Sequence, residues 1–262
     1  MDNPDAVARD LLSKHEAGAP FRPFAAEWGI VGLEDAYAVQ RRFVALLEAR
    51  HGHPVGYKIG LTSARMQAMC NIDQPIGGVV LSDRVHRSGA VLDAAEYGRI
   101  GLEYEIGVRL GSDLPADGAP YDMDRIASAV DAVCAAVELV DDRKADYRTL
   151  DVLSLVADNS WNAGIVLGEW VSSWPDLTTV TGTVFRDGRE EDRGTGKDVL
   201  GHPFAPLTWL ANRLAAAGQQ LRAGDIVLTG SLVTTRFPTQ TEGHAFVLDG
   251  IGRVEVAVRV GG

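Results

Sequence analysis

The sequence predicts an α+β fold that is mostly β, with a mixed β-roll or barrel-like body and a helical N-terminal part. Two observations carry this prediction. Apolar residues recur at helical spacing over residues 4–17 and 34–50. From residue 54 onward, short runs rich in β-branched residues follow one another between glycine and aspartate turns, with few helices between them. A doubly wound parallel sheet would need helices in regular alternation with strands, so we exclude that class.

The first fifty residues are predicted to form a helical lead-in. Ala36, Val39, Phe43 and Leu47 are three or four residues apart, as on one face of a helix. The Gly- and Pro-containing segment 18–24 separates the two helices as a loop. We therefore expect a helical segment, residues 1–53, packed on a body formed by residues 54–262, together making one structural unit.

Strands dominate the body. The clearest is 100–110, where large apolar residues alternate strictly with Gly, Glu and Arg. The longest helix of the body is predicted to end before Gly218, a typical stop signal. The predicted strands are 55–60, 78–81, 100–110, 133–140, 165–167, 178–185, 225–229, 245–248 and 254–260, and the helices of the body are 63–69, 122–131 and 205–217.

Composition limits the classes of partner. The 262 residues carry a formal net charge of -11 without a run of basic residues, which argues against nucleic acid. No stretch approaches the roughly 18 apolar residues of a membrane span, so we expect no membrane partner. Cys70 and Cys134 form neither a disulfide framework nor a metal motif. Two reduced thiols and an acidic N-terminus without an apolar signal core favour a cytoplasmic location.

Three glutamates are the candidate metal ligands. Glu103 and Glu105 lie two apart on the predicted strand 100–110, so both carboxylates point to one face. A solvated strand face would also explain this pair, but Glu138 lies in an otherwise apolar run, where glutamate needs a partner. Three carboxylates around one hard cation explain all three placements, with Mg²⁺ as the first choice and Mn²⁺ as the second. Zinc is disfavoured because neither His nor Cys accompanies the three glutamates.

Lys58 is the candidate cation of the site. It lies in a short apolar strand between Gly56 and Gly60. An exposed lysine on a strand edge would show the same pattern. In the functional interpretation, its amine holds a substrate carboxylate when charged, or moves protons if burial lowers its pKa.

Seven short motifs follow one another at specific spacings along the chain. They are G-Y-K-I-G-L-T-S at 56–63, D-Q-P at 73–75, E-Y-E at 103–105, A-V-E-L-V-D-D-R at 136–143, V-A-D-N at 156–159, G-H-P at 201–203 and G-D-I-V-L-T-G at 224–230. Together they resemble the fumarylacetoacetate hydrolase superfamily, in particular its 2-oxopent-4-enoate hydratases and 4-oxalocrotonate decarboxylases. The resemblance implies a largely β-roll body of that family's type and an assembly of two or more identical subunits.

The resemblance also implies roles for individual residues. It places the family's metal ligands on Glu103, Glu105 and Glu138, and the family's active-site lysine on Lys58. The segment Thr229, Gly230 and Ser231 resembles the family's loop for the substrate carboxylate, although a plain strand-to-turn transition gives the same pattern.

The chain departs from the family pattern at two positions. Ile76 stands where related hydratases and decarboxylases often carry a catalytic aspartate, and Trp161 stands where they often carry serine. Candidate replacements are Asp73, Asp83, Asp158 and Ser160, among which the sequence does not select. For Asp158, a turn with local backbone hydrogen bonds is an equal alternative.

The resemblance implies a small 2-oxo acid as substrate and a lyase activity. The expected reaction is the divalent-metal-dependent hydration of 2-oxo-4-enoate or 2-hydroxy-2,4-dienoate acids through a metal-stabilised enolate. Three alternatives stay open. They are decarboxylation of 2-oxo-3-enedioates such as 4-oxalocrotonate, carbon–carbon hydrolysis of acylpyruvates, and non-catalytic binding of 2-oxo acids, for which Ile76 is the motivating residue.

Overall fold

The computed structural model describes residues 3–261 and contains six helices and twelve strands within that range. The helices are α1 (Pro4–Glu16), α2 (Leu33–His51), α3 (Ala64–Met69), α4 (Met123–Ala129), α5 (Val152–Ala157) and α6 (Phe204–Ala216). The strands are β1 (Pro54–Gly60), β2 (Ile76–Leu81), β3 (Val85–Arg87), β4 (Ala90–Asp93), β5 (Ile100–Leu110), β6 (Val130–Asp141), β7 (Asn162–Leu167), β8 (Thr181–Arg186), β9 (Arg189–Thr195), β10 (Ile226–Ser231), β11 (Glu242–Leu248) and β12 (Gly252–Arg259). The predicted α+β class with a helical N-terminal part is confirmed.

Two mixed sheets form the body. The seven-stranded sheet has the order β2-β1-β10-β5-β6-β7-β3, and the five-stranded sheet has the order β4-β12-β11-β8-β9. The pairs β1–β10, β3–β7 and β4–β12 are parallel, whereas the other neighbours are antiparallel. The main core includes β5 residues Leu102, Tyr104 and Ile106 together with Phe246 and Val256 of the smaller sheet. Because strand residues alternate in direction, the odd-numbered residues of β5 face the opposite side of the larger sheet.

The helical N-terminal part covers that opposite side. Asn3 caps α1 by accepting a hydrogen bond from the amide of Ala6 at 2.9 Å. A second hydrophobic cluster combines residues of α1 and α2, among them Leu11 and Phe43, with body residues such as Val140. The helices therefore bury apolar surface against the larger sheet. The division at residue 53 stays a prediction.

Four elements lie outside the predicted set. They are β3, β4, β9 and α5. Strand β9 reads R-E-E-D-R-G-T and forms an edge of the smaller sheet, so its side chains need not be apolar. Helix α5 has six residues, too few for helical periodicity to emerge. Within residues 3–261, the structure contains no helix that combines the length and apolar character of a membrane span.

Candidate active site

The three candidate carboxylates meet on the helix-covered side of the larger sheet. Strands β5 and β6 are antiparallel, and their register places Glu103 directly opposite Glu138. Glu105 follows two residues along the same face of β5. One carboxylate oxygen from each residue lies within 4.8 Å of the other two. Glu105 and Glu138 are fully buried, and Glu103 is half-buried.

Each carboxylate is held through one of its oxygens. The Thr235 hydroxyl donates to Glu103 Oε1 at 2.5 Å, and the Gly230 amide donates to Glu105 Oε2 at 2.6 Å. The Asn162 amide donates to Glu138 Oε1 at 3.0 Å. These hydrogen bonds fix the orientation of the three carboxylates and leave the second oxygen of each available to a ligand.

Two buried oxygens of the cluster are unpartnered. Glu105 Oε1 and Glu138 Oε2 have no hydrogen-bond donor among residues 3–261. An unsatisfied, buried, charged oxygen is costly, and a cation would remove that cost. Three carboxylates with no nitrogen or sulfur donor form an oxygen-only ligand set suited to a hard divalent ion. The residues present therefore fit Mg²⁺ or Mn²⁺.

Lys58 contributes the only positive charge in direct contact with this cluster among the described residues. Its Nζ lies 3.0 Å from Glu138 Oε1, and its side chain is buried. Burial alone would lower the pKa of the Lys58 amine, but Glu138, Glu103 and Glu105 outweigh it, and the pKa is raised. The amine is therefore charged in the protein without metal or substrate. The role in proton transfer, which required burial to lower the pKa of Lys58, does not apply to this state.

Two carboxyl groups of the cluster, those of Glu105 and Glu138, have raised pKa values. Burial raises the pKa of Glu105 well above its ordinary value, and the charges of Glu138 and Glu103 raise it further. Burial also raises the pKa of Glu138 to about 7, although Lys58 opposes this shift. Such perturbations are typical of functional sites.

A cavity of about 320 Å³ opens in front of Lys58 and Glu103. Two glycines leave space for the lysine beneath it. A Cβ atom on Gly78 would lie 3.3 Å from Lys58 Cγ and 2.6 Å from the carbonyl oxygen of Asn159. A Cβ atom on Gly60 would lie 3.4 Å from Lys58 Nζ. The glycines that flank Lys58 in sequence and in the neighbouring strand thus allow the close packing around its side chain.

Only part of the predicted substrate loop faces this cavity. Ser231 lines it. Thr229 is buried and donates to the Ile106 carbonyl at 3.1 Å. Gly230 has a φ of 114°, and a Cβ there would lie 2.0 Å from Thr62 Oγ1, so the position requires glycine. Its amide holds Glu105, which gives this loop a contact with the cluster.

Ser160 lines the cavity and lies in a left-handed turn. Asn159, Ser160 and Trp161 have φ values of 48°, 50° and 59°. Three successive non-glycine residues in this region store backbone strain, which is concentrated at functional sites. The turn directs Ser160 and Trp161 into the cavity wall, and the Ser160 hydroxyl donates to the Gly77 carbonyl at 2.9 Å.

The three aspartates proposed as catalytic replacements do not line this cavity. Asp158 is buried on another side, where it pairs with Arg143 and lies 2.6 Å from His15 Nε2. It lines a separate cavity of about 550 Å³ between the helices and the sheet. Asp83 is exposed and accepts from Ser82 at 3.1 Å. Asp73 is also exposed.

Sequence reasoning missed Asn162 and Thr235, which hold Glu138 and Glu103. Asn162 begins β7, and it follows the V-A-D-N motif closely enough that the motif could have been extended to include it. Thr235 lies in the loop after β10, and its sequence context carries no signal for a contact with β5.

Comparison with known proteins identifies the family. Residues 61–259 match the family described as "Fumarylacetoacetate (FAA) hydrolase C-terminal". The chain therefore belongs to the fumarylacetoacetate hydrolase family, and the resemblance of its sequence motifs is confirmed.

The relatives within this family are named hydratases and decarboxylases. The chain is 32% identical over 250 residues to a 2-oxo-hept-4-ene-1,7-dioate hydratase of Escherichia coli, covering 93% of this chain and 92% of that protein. It is 36% identical over 225 residues to a 2-keto-4-pentenoate hydratase of Burkholderia vietnamiensis, covering 84% and 83%. Its fold matches 4-oxalocrotonate decarboxylase from Pseudomonas putida G7, complexed with magnesium and adipate. The TM-score is 0.91 with 27% identity, over 99% of this chain and 97% of that chain.

Proposed function

We propose that this protein is a divalent-metal-dependent lyase that hydrates 2-hydroxy-2,4-dienoate (2-oxo-4-enoate) acids. The observation that carries the proposal is the pair of buried, unpartnered oxygens, Glu105 Oε1 and Glu138 Oε2, within a cluster of three carboxylates beside Lys58. The relatives that are named hydratases support the reaction, and the magnesium in the complex of the related decarboxylase supports the cofactor.

Glu103, Glu105 and Glu138 would hold the metal, with Mg²⁺ preferred and Mn²⁺ as the second choice. When bound, the cation would supply the charge that orients a 2-oxo acid by its carboxylate and ketone oxygens and stabilises an enolate oxygen. Thr235, Asn162 and the Gly230 amide keep the three carboxylates in place. Their role resembles that of the outer contacts that orient ligands in other metal sites.

The remaining chemistry is assigned to groups at the cavity. Lys58 carries a proton on Nζ at the cavity floor, where its charge holds the substrate carboxylate. Ser231, at the end of β10, lies beside the same end of the substrate. In the overall reaction, carbon 4 gains the hydroxyl of water, carbons 3 and 5 each gain a proton, and the 2-hydroxyl loses its proton as it becomes the ketone.

Decarboxylation of a 2-oxo-3-enedioate is the second candidate reaction. It is favoured by the fold match to 4-oxalocrotonate decarboxylase over nearly the whole chain. The same carboxylate cluster would serve it, because loss of carbon dioxide also leaves a dienolate. Acylpyruvate hydrolysis and non-catalytic binding of 2-oxo acids stay as outcomes of the test below.

The direct test uses protein stripped of metal by a chelator. It is assayed on 2-hydroxypenta-2,4-dienoate with and without Mg²⁺ by loss of the dienol absorbance, and on 2-oxohex-3-enedioate by release of carbon dioxide. We expect magnesium-dependent hydration, which Glu103→Gln and Glu138→Gln abolish while the fold is retained. Full activity in the stripped protein, or in either variant, would contradict the proposal. Metal-assisted binding without any product would favour the non-catalytic alternative.

We also propose that the protein acts in the cytoplasm as a homo-oligomer of two or more subunits. The two buried free cysteines, Cys70 and Cys134, support a reducing compartment, and the family resemblance supports the assembly. Light scattering coupled to size-exclusion chromatography tests the oligomer, and fractionation of cells that express the tagged protein tests the location.

A further inference from the structure

We propose that the far end of the substrate, beyond the reacting carbons, is an uncharged hydrocarbon group rather than a second carboxylate. This inference rests on the proposed function and specifies its substrate class. The cavity in front of Lys58 and Glu103 has a volume of about 320 Å³, which suits a small acid with a short tail. One part of its wall is aliphatic and aromatic, formed by Leu61, Ile76, Val140, Leu150, Leu155 and Trp161.

The apolar wall begins next to the lysine. In the pairing of β1 with β2, Ile76 lies opposite Gly60. A Cβ atom on Gly60 would lie 3.4 Å from Lys58 Nζ and 3.5 Å from Ile76 Cγ1, so the amine and this aliphatic side chain are near neighbours. Ile76 is buried. A carbon chain that extends from the carboxylate cluster past Lys58 therefore meets hydrocarbon first.

Several hydroxyl groups along the wall are already engaged as donors. Ser160 donates to the Gly77 carbonyl at 2.9 Å, Tyr147 to Asp142 Oδ2 at 3.1 Å, and Ser231 to the Val233 carbonyl at 2.9 Å. The buried Trp161 Nε1 has no partner among the described residues. As a single neutral donor, it does not offset the charge of a carboxylate.

The charges at the cavity do not suit a second carboxylate. Of the described residues that line it, Lys58, Glu103, Arg65 and Asp198 are charged. Lys58 is already assigned to the carboxylate at the reacting end and pairs with Glu138, whereas Arg65 and Asp198 are exposed. A carboxylate buried against the apolar side chains would lack a buried counter-charge, which is unfavourable. Each buried methylene group of a hydrocarbon tail, by contrast, increases the binding affinity about fourfold.

The test compares two substrates of equal carbon count in the magnesium-loaded enzyme. They are 2-hydroxyhepta-2,4-dienoate, which ends in an ethyl group, and 2-hydroxyhepta-2,4-diene-1,7-dioate, which ends in a carboxymethyl group. We expect kcat/KM for the ethyl compound to exceed that for the dioate by about 100-fold or more, since the carboxylate would be desolvated without a partner. Equal values, or a preference for the dioate, would overturn the inference and leave the proposed hydratase function intact.

A charge-introducing variant gives an independent readout. Leu150 is half-buried in the wall, so Leu150→Lys places an amine near the tail with little disturbance of the core. We expect it to shift the ratio of kcat/KM values toward the dioate at least tenfold, while Leu150→Met leaves the ratio unchanged. If Arg65→Ala selectively lowers kcat/KM for the dioate in the otherwise unchanged protein, Arg65 binds a second carboxylate, and the inference is wrong.

Failure of the proposed function is recognised separately. If none of the three compounds turns over, neither the two seven-carbon substrates nor 2-hydroxypenta-2,4-dienoate, the hydratase proposal fails. Calorimetry then decides the inference, with 2-oxoheptanoate and 2-oxoheptane-1,7-dioate titrated into protein that contains Mg²⁺. Tighter binding of the monoacid supports the hydrocarbon tail, and equal or tighter binding of the diacid contradicts it.

Discussion

The amine of Lys58 lies 3.0 Å from Oε1 of Glu138, and both side chains are buried within the body of the protein. The contact unites a proposed metal ligand with the charge proposed to hold the substrate. The contact also explains why the pKa of Lys58 is raised, although burial alone would lower it. The lysine is thus a countercharge to the carboxylates before any cation binds.

Replacing the lysine should separate catalysis from metal binding. We expect Lys58→Met to lower kcat/KM by roughly 100-fold or more, because the substrate loses a charged contact at the reacting end. Affinity for Mg²⁺ should be unchanged or higher, because a competing positive charge is removed from Glu138. Steady-state kinetics and calorimetry measure the two effects. Weaker Mg²⁺ binding together with normal turnover would contradict the assigned role.

The raised carboxyl pKa values predict how stability depends on pH in the presence of chelator. Unfolded chains release these protons near the ordinary value of 4.5, whereas Glu138 in the folded protein keeps its proton until about pH 7, and the pKa of Glu105 is also raised. The folded state binds more protons between these values, so this contribution to the free energy of unfolding falls as the pH rises from about 4.5 to about 7.

Denaturant titrations across that pH range measure this effect. Glu138→Gln should make the free energy of unfolding fall less steeply with pH. Glu169→Gln, which alters an exposed carboxylate, should leave this pH dependence as in the parent protein. Saturating Mg²⁺ should also reduce the slope, since the cation binds the deprotonated carboxylates. An equal slope in Glu138→Gln and the parent protein would show that these carboxyls do not titrate as described.

The contacts behind the carboxylates should affect metal affinity. Asn162→Leu removes the amide donor to Glu138, and Thr235→Val removes the hydroxyl donor to Glu103. We expect each change to weaken Mg²⁺ binding by about 10-fold to 100-fold. Thr208→Val is the matched control, since its hydroxyl donates to the Phe204 carbonyl within α6. Unchanged Mg²⁺ affinity in both test variants would rule out a positioning role.

We expect substitution of Asp158 to affect mainly stability and substitution of Ser160 to affect mainly catalysis. Asp158 joins Arg143 to His15 of α1, and a buried ion pair that loses one partner costs about 3–5 kcal/mol. We therefore expect Asp158→Asn to lower the unfolding free energy with little effect on kcat. Ser160→Ala should alter kcat/KM more than stability, because Ser160 lines the cavity. Thermal unfolding and kinetics on both variants decide the matter, and a catalytic loss confined to Asp158→Asn would reverse the assignment.

Local patterns predicted the elements that carry the carboxylates. The period of two over residues 100–110 gave both the strand β5 and the shared direction of Glu103 and Glu105. Glu138 was recognisable because a lone acidic residue in an apolar run requires a partner. The convergence of the three was therefore predictable before the pairing of β5 with β6 was known.

Long-range contacts were beyond the reach of sequence patterns. Thr235 touches Glu103 across 132 positions of the chain, and no periodicity encodes such a contact. The left-handed turn at 159–161, directly after Asp158, lacks the glycine that usually marks such a backbone. Edge strand β9 carries charged residues because one side of it is unpaired.

The most direct test of the account is a crystal structure of the protein soaked with Mn²⁺, with the ion located by its anomalous scattering. We expect one Mn²⁺ between Glu103, Glu105 and Glu138, with Glu105 Oε1 and Glu138 Oε2 among its ligands. An ion bound elsewhere, or a cluster that stays without metal at saturating Mn²⁺, would contradict the central claim.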